Sequence, residues 1–231
     1  ITNAGSIKAG ASGILVGTAA RLLDGAAEAA ELEDSTLANS GTIANAAGAS
    51  IEAGETGILA AGENSGTITN AGSIKAGEAG ISAGLSQDFR SASPEAITTE
   101  STTLANSGTI TNAAGASIEA GSTGILVAGE NSGTITNAGS IKAESIGILA
   151  GSNAPLLAGA ESDDAEPVPA VANSGTITNA AGATIDAGTV GVLVAGENTG
   201  TVANAGNIKA TAGIAVLADN SGTITNTGTI E

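Results

Sequence analysis

Single β-branched residues, each flanked by small or polar neighbours, recur along the chain in groups of three. One group is Ile68, Ile74 and Ile81, and the next such group begins at Ile110. Alternation of apolar and polar positions over three to five residues, bounded by Gly and Asn, is typical of short β-strands. The pattern predicts three strands per group, with each Ile pointing inward and its two neighbours pointing outward.

The groups repeat along the chain, and each is marked by the phrase Asn-(Ser/Thr)-Gly-Thr-(Ile/Val). Successive phrases are separated by 25, 42, 25, 42, 25 and 22 residues, so one 25 and one 42 make a unit of 67. The phrase begins at Asn39, Asn64, Asn106, Asn131, Asn173, Asn198 and Asn220. A short repeat holding three short strands is typical of one coil of a solenoid. We predict an all-β fold over residues 1–231, a right-handed parallel β-helix of about eight rungs with three short strands per rung.

The 42-residue intervals contain insertions between the third strand and the next Asn. These are Thr18–Leu37, Leu85–Leu104 and Ser152–Val171, which differ in sequence although the rungs around them are nearly identical. All three leave the same corner of the solenoid on every second coil, about 9.6 Å apart along the axis. They are either loops tolerated at a corner or a row of recognition loops on one face. In the second case the candidate contact residues are Arg21, Leu22, Leu23, Phe89, Arg90, Leu156 and Leu157.

One charged residue stands beside the second-strand Ile of every coil, and its sign alternates from coil to coil. These residues are Lys8, Glu52, Lys75, Glu119, Lys142, Asp186, Lys209 and Glu231. Equivalent residues of stacked strands lie about 4.8 Å apart, where opposite charges stabilise and like charges destabilise. The alternation predicts a charge ladder on one outer face and explains why the repeat unit is two coils.

An Asn follows the first-strand Ile or Val by two residues in every coil. This set is Asn3, Asn45, Asn70, Asn112, Asn137, Asn179, Asn204 and Asn226. Stacked side-chain amides can form hydrogen bonds along the axis, and Asn tolerates the left-handed geometry of turns. We predict a structural Asn ladder at this corner.

The composition argues against catalysis and against several classes of partner. The chain has no Cys, His, Met, Trp or Tyr, a single aromatic residue (Phe89), and a net charge of −17. Without His or Cys it lacks the usual nucleophile and base pairs and the usual transition-metal ligands. We therefore expect no enzyme activity, no cofactor and no metal site. The negative charge argues against binding of nucleic acid, and no stretch approaches the roughly 20 apolar residues of a membrane span.

The rung Asn64-Ser65-Gly66-Thr67-Ile68-Thr69-Asn70-Ala71-Gly72-Ser73-Ile74 resembles the repeats of autotransporter passenger domains and filamentous haemagglutinin-type adhesins. The resemblance covers the coils and not the three insertions. It implies a secreted or surface-anchored protein of a Gram-negative bacterium that holds adhesive elements away from the cell. The expected function is a non-enzymatic extracellular shaft of an adhesin, or the subunit of a filament or sheath. The expected partners are copies of the chain, joined end to end or laterally, or a cell-surface receptor.

Two further expectations come from the rungs themselves. Paired outward threonines, as in Thr67-Ile68-Thr69, recur in several coils and resemble the ice-binding faces of some antifreeze proteins, although Ala44 and Ala203 interrupt the array. Ice binding is therefore an alternative function. Because Ile1 and Glu231 both fall within rungs, we also expect unpaired strand edges there, covered by further repeats or by another copy.

Overall fold

The computed structural model describes residues 1–17, 38–85, 105–152 and 172–231. These residues form short β-strands and turns, and no α-helix occurs among them. Each strand pairs in parallel with its counterparts in the neighbouring coils, so the strands assemble into four sheets that run along the axis. This confirms the predicted parallel β-helix.

Each rung contributes one strand to each of sheets A and B, and most rungs contribute one to sheet C. Sheet A consists of Thr2–Asn3, Thr42–Asn45, Thr67–Asn70, Thr109–Asn112, Thr134–Asn137, Thr176–Asn179, Thr201–Asn204 and Thr223–Asn226. Sheet B consists of Ser6–Ala9, Ser50–Ala53, Ser73–Ala76, Ser117–Ala120, Ser140–Ala143, Thr184–Ala187, Asn207–Lys209 and Thr229–Ile230. Sheet C consists of Ser12–Val16, Thr56–Ala61, Ala79–Leu85, Thr123–Ala128, Ile146–Ser152, Val190–Val194 and Ala212–Val216.

The core is a set of stacked isoleucines, because the register places the same residue type in successive rungs. Ile68 pairs with Ile110, and Ile74 pairs with Ile118. The three inward isoleucines of one rung, Ile68, Ile74 and Ile81, are each at most 1% exposed. Burial of an aliphatic side chain of this size contributes about 1.5–3 kcal/mol. A core without aromatic residues is therefore built from many identical small layers.

The second residue of each sheet C strand is a glycine, which lets successive rungs pack tightly. A Cβ atom at Gly80 would collide with Cγ2 of Ile118 in the next rung and lie 2.6 Å from the carbonyl oxygen of Gly124. The same relation recurs through the described rungs, with Gly57 facing Ile74 and Gly124 facing Ile141. Only glycine leaves room there for the isoleucine of the following rung.

The structure differs from the sequence prediction in three details. A fourth, narrow sheet D, absent from the prediction, consists of two-residue strands, Ala38–Asn39, Glu63–Asn64, Ala105–Asn106 and Glu130–Asn131. Leu85 and Ser152, which the sequence pattern assigned to insertions, are the last residues of sheet C strands. The ladder Asn residues do not use the left-handed turn geometry that Asn tolerates, because every positive φ among the described residues belongs to Gly. Glycine adopts that conformation without the steric penalty that a Cβ atom brings.

Candidate functional site

The predicted Asn residues lie at the turn between sheets A and B, where they form one continuous chain of side-chain hydrogen bonds. Asn112 donates from Nδ2 to Oδ1 of Asn137 at 2.8 Å and accepts from Nδ2 of Asn70 at 2.9 Å. The other described members of the ladder, from Asn3 to Asn226, bond in the same direction at 2.7–2.8 Å. The ladder therefore has a polarity along the axis.

A second hydrogen bond fixes the orientation of the ladder amides from Asn3 to Asn204. Asn112 Nδ2 also donates to the backbone carbonyl of Ser140 in the next rung at 3.2 Å, and Asn70 donates in the same way to Ser117 at 3.1 Å. Asn70 and Asn112 are completely buried. Because both donors of the amide are used, these buried polar side chains incur no desolvation penalty for an unpaired donor.

A second Asn ladder, which the sequence reasoning did not recognise, runs along sheet D and continues through the rungs beyond it. It is formed by the Asn that opens each repeat phrase: Asn39, Asn64, Asn106, Asn131, Asn173, Asn198 and Asn220. Its side-chain hydrogen bonds measure 2.6–2.7 Å and point in the same direction as those of the first ladder. The sequence already indicates this ladder, since the same Asn recurs at the start of every repeat phrase.

The charge ladder lies on the outer face of sheet B, where the strand register stacks residues of opposite sign. Lys75 pairs with Glu52 on one side and with Glu119 on the other. Within the described ranges one ladder pair approaches closely, Lys8 Nζ and Glu52 Oε2 at 3.5 Å. Their side chains are 80% and 59% exposed, so such a pair contributes little stability by itself. The register also stacks the remaining described members: Lys142, Asp186 and Lys209, with Glu231 adjoining the last strand.

The outer face of sheet A presents two columns of threonine. The register aligns Thr67 with Thr109 and Thr69 with Thr111, and the columns continue through Thr134, Thr136, Thr176 and Thr178. Ala44 and Ala203 occupy the second column in rungs two and seven. The array is therefore regular over four consecutive rungs and interrupted on both sides.

The candidate contact residues cannot be placed in this geometry. Arg21, Leu22, Leu23, Phe89, Arg90, Leu156 and Leu157 lie outside the described residues. In the part of the chain that is described, His, Cys, Asp and Glu do not gather in groups that could hold a metal ion. The same residues include no helix with the length and apolar character needed to cross a membrane.

No family model, curated protein or solved structure matches this chain. The likeness of its rungs to adhesin repeats therefore rests on the repeat residues alone.

Proposed function

We propose that the chain is a non-enzymatic extracellular shaft, a repetitive spacer that holds other elements at a distance from a bacterial surface. The observation that carries the proposal is the register itself. Eight rungs stack with equivalent residues paired in sheets A and B, while two Asn ladders bond every rung to the next. Each rung thus adds about 4.8 Å of length by the same contacts, which is the property a spacer needs.

The setting we propose is the surface of a Gram-negative bacterium, in an adhesin shaft or in a filament or sheath. The rungs support this setting through their likeness to adhesin repeats. The net charge of −17 keeps such a chain soluble and disfavours nucleic acid as a partner. Its partners would be other copies of the chain or a receptor on another cell.

A height measurement on displayed protein tests the spacer function. The chain is placed between an outer-membrane anchor and a peptide epitope, and compared with a longer version in which Glu231 is joined to Ala53 of a second copy. That junction keeps register, because Glu52 normally precedes Ala53 and lies at the ladder position that Glu231 occupies. The added rungs should raise the epitope by about 30 Å at the spacing of stacked strands.

The readout is antibody access to the epitope through surface polysaccharide of defined thickness. Access should increase from anchor alone to single chain to extended chain. A matched linker of equal residue number rich in Gly and Ser controls for length without rungs. Equal access for all the displayed forms would show that the rungs do not act as a spacer.

Ice binding is a second candidate, favoured by the straight threonine columns of sheet A. Threonine is also common on exposed strands because of its β-propensity, so the array does not by itself require a ligand. Purified chain at micromolar concentration should inhibit ice recrystallisation if this function is real, and Thr111→Val together with Thr136→Val should abolish the inhibition. Normal ice growth in the presence of the parent chain rejects the candidate.

A further inference from the structure

The outer face of sheet B is the one described face on which positive and negative side chains balance. All four lysines of the chain belong to the charge ladder, together with four acids, so the ladder has no net charge. Every side chain of the ladder is exposed. In a chain with a net charge of −17, copies repel one another. This face is the charged surface on which that repulsion is weakest.

The remaining described acids lie away from this face, and no described lysine or arginine lies outside the ladder. Three of these acids lie in the turns from sheet B to sheet C, and four directly precede an Asn of the second ladder. They are Glu55, Glu78, Glu144, Glu63, Glu130, Glu197 and Asp219. The outer face of sheet A presents threonine and alanine without charge. Among the described faces, sheet B alone therefore offers a pattern of both signs.

Most charges of the ladder are not paired within one chain. The register places Lys75 between Glu52 and Glu119. Among the described residues, however, the salt bridge from Lys8 to Glu52 is the only one. The ammonium groups of the other three lysines are therefore available to carboxylates of another molecule.

A column of short polar side chains runs beside the ladder and leaves the face open to approach. The first residue of each sheet B strand points outward, two positions before the ladder residue. The column consists of Ser6, Ser50, Ser73, Ser117, Ser140, Thr184, Asn207 and Thr229. Because these side chains are shorter than those of the ladder, they do not prevent the charged groups from meeting those of a facing molecule.

An alternating ladder is complementary to a copy of itself in an antiparallel arrangement. A two-fold axis along the strand direction reverses the order of the rungs and brings the ladder of one copy over that of the other. When this axis lies midway between two rungs, each lysine faces an acid. A two-fold axis parallel to the solenoid axis instead brings equivalent rungs to the same height, where like charges repel. Closed two-fold dimers are also the most common assemblies of identical chains.

We propose that two copies of the chain pair antiparallel through the outer faces of sheet B, with the two-fold axis midway between two rungs. When all eight rungs overlap, the axis lies between Glu119 and Lys142, which are adjacent in the register. Glu119 then faces Lys142 of the second copy, and Lys75 faces Asp186 of the second copy. The proposal rests on the proposed function, because it names the surface by which one shaft recognises another.

The size of the face predicts a weak dimer that becomes tighter with the number of rungs. Eight rungs of four-residue strands give a face of about 38 by 13 Å. Two such faces bury about 1,000 Å² in total, which is at the lower limit for specific interfaces. Each added rung supplies a further pair of opposite charges, so longer shafts should pair more tightly.

Analytical ultracentrifugation of the purified chain tests the charge pairing. Lys142→Glu places like charges at two symmetry-related contacts and should weaken association by about tenfold. Adding Glu119→Lys restores opposite charges at both contacts and should recover most of the association. Ala44→Glu combined with Ala203→Glu changes the net charge equally on sheet A, and should leave association within about twofold of the parent chain. If the double reversal associates no better than Lys142→Glu alone, the proposal is wrong.

The salt dependence of association separates charge pairing from apolar contact. The Debye length falls from about 30 Å at 0.01 M to about 8 Å at 0.15 M and about 3 Å at 1 M. Screening therefore removes the long-range repulsion between net charges before it weakens the contacts between ladder charges. Association should be strongest near about 0.15 M salt. A steady rise up to about 1 M would indicate an apolar contact and overturn the proposal.

Cross-linking of introduced cysteines tests the antiparallel order, because the chain has no Cys of its own. Ser73→Cys and Thr184→Cys lie three rungs apart in the same column, about 14 Å along the axis. A bismaleimide with a reach of about 10 Å, the spacing of facing sheets, should link the two variants when they are mixed and link neither variant to itself. Both positions are in interior rungs, so end-to-end stacking does not bring them together.

Self-linking of each variant would indicate a parallel pair, and equal yields for every combination, or none at all, would indicate that no specific pair forms. Each of these results overturns the proposal. Circular dichroism confirms that the variants are folded. Because all of these measurements use purified chain, they are independent of the epitope-height experiment, and a failure of the spacer function can be distinguished from a failure of the pairing.

Discussion

At the scale of single residues, stability comes from buried polar groups that repeat as regularly as the isoleucines. Asn112 is completely buried, yet its amide both accepts a hydrogen bond from Asn70 and donates one to Asn137. Inside a protein the hydrogen bonds of such an amide chain reinforce one another, so the loss of one of them is costly. The Asn ladders therefore specify register as well as stability, because a shifted strand would leave amides unpaired.

Replacing Asn112 by Ala should destabilise the chain strongly. The change leaves Nδ2 of Asn70 without its Asn acceptor and Oδ1 of Asn137 without its donor, each worth about 1–3 kcal/mol when buried. We expect Tm to fall by about 10 °C, measured by circular dichroism. The matched control is Thr111→Ala in the same strand, since rungs two and seven already have Ala at that position. A loss no greater than that of the control would show that the ladder is not a source of stability.

The residue-level prediction from sequence was correct for the inward isoleucines and incomplete for asparagine. The period-two pattern around Ile68 and Ile74 was sufficient to predict which side chains are buried. It could not reveal that the Asn opening each phrase is buried too, because Asn at a turn is common for local reasons.

At the scale of elements, the sheets are set by pairing between rungs rather than within them. Strands of four residues have little stability alone, and each gains it by pairing in parallel on both sides. The alternation of charge along sheet B agrees with this pairing. This alternation could be predicted from the sequence, because each coil has one charged residue directly after its second-strand Ile.

The substitution Lys75→Glu tests the energetic role of the charge ladder. The new carboxylate would lie between Glu52 and Glu119 on one exposed face, where like charges in register destabilise. We expect a decrease in Tm of about 2 °C at low salt, partly relieved at high ionic strength by screening. Lys75→Gln removes attraction without adding repulsion, so its Tm should lie between those of the parent chain and Lys75→Glu. The same Tm for all three proteins at low salt would count against the ladder.

At the scale of the whole molecule, the repeating unit is two rungs for two separate reasons. The first is the alternation of Lys with an acid along sheet B. The second is the turn between sheets A and B, which alternates between short and long from rung one to rung seven. In rungs two, four and six it closes with an added backbone hydrogen bond, as from Ala49 to Ala46 at 3.0 Å. The period of 67 residues and the longer spacing from Ile43 to Ile51 than from Ile68 to Ile74 are both present in the sequence, whereas the added hydrogen bond became clear only from the structure.

Two deletions that differ by one rung test whether stability depends on the two-rung unit or only on the number of rungs. Removing residues 68–109 joins Thr67 to Ile110, which places Glu52 beside Glu119 and stacks two long turns. Removing residues 68–134 joins Thr67 to Ile135, which places Glu52 beside Lys142. At this junction opposite charges stack again, and a long turn again lies beside a short one. Both deletions take out the same insertion, so its loss cancels in the comparison.

The larger deletion should therefore give the more stable protein, although stability in a solenoid normally grows with the number of rungs. At low salt we expect the 42-residue deletion to melt several degrees below the 67-residue deletion. Added salt should narrow the gap, because screening weakens the repulsion between Glu52 and Glu119. We expect part of the gap to remain at high salt, because the 42-residue deletion also stacks two long turns, whereas each long turn of the described chain lies beside short ones. If instead the protein with the 42-residue deletion has the same Tm at low salt as the protein with the 67-residue deletion, then any rung can stack on any other. The 67-residue period would then record how the chain was duplicated and not how it is stabilised.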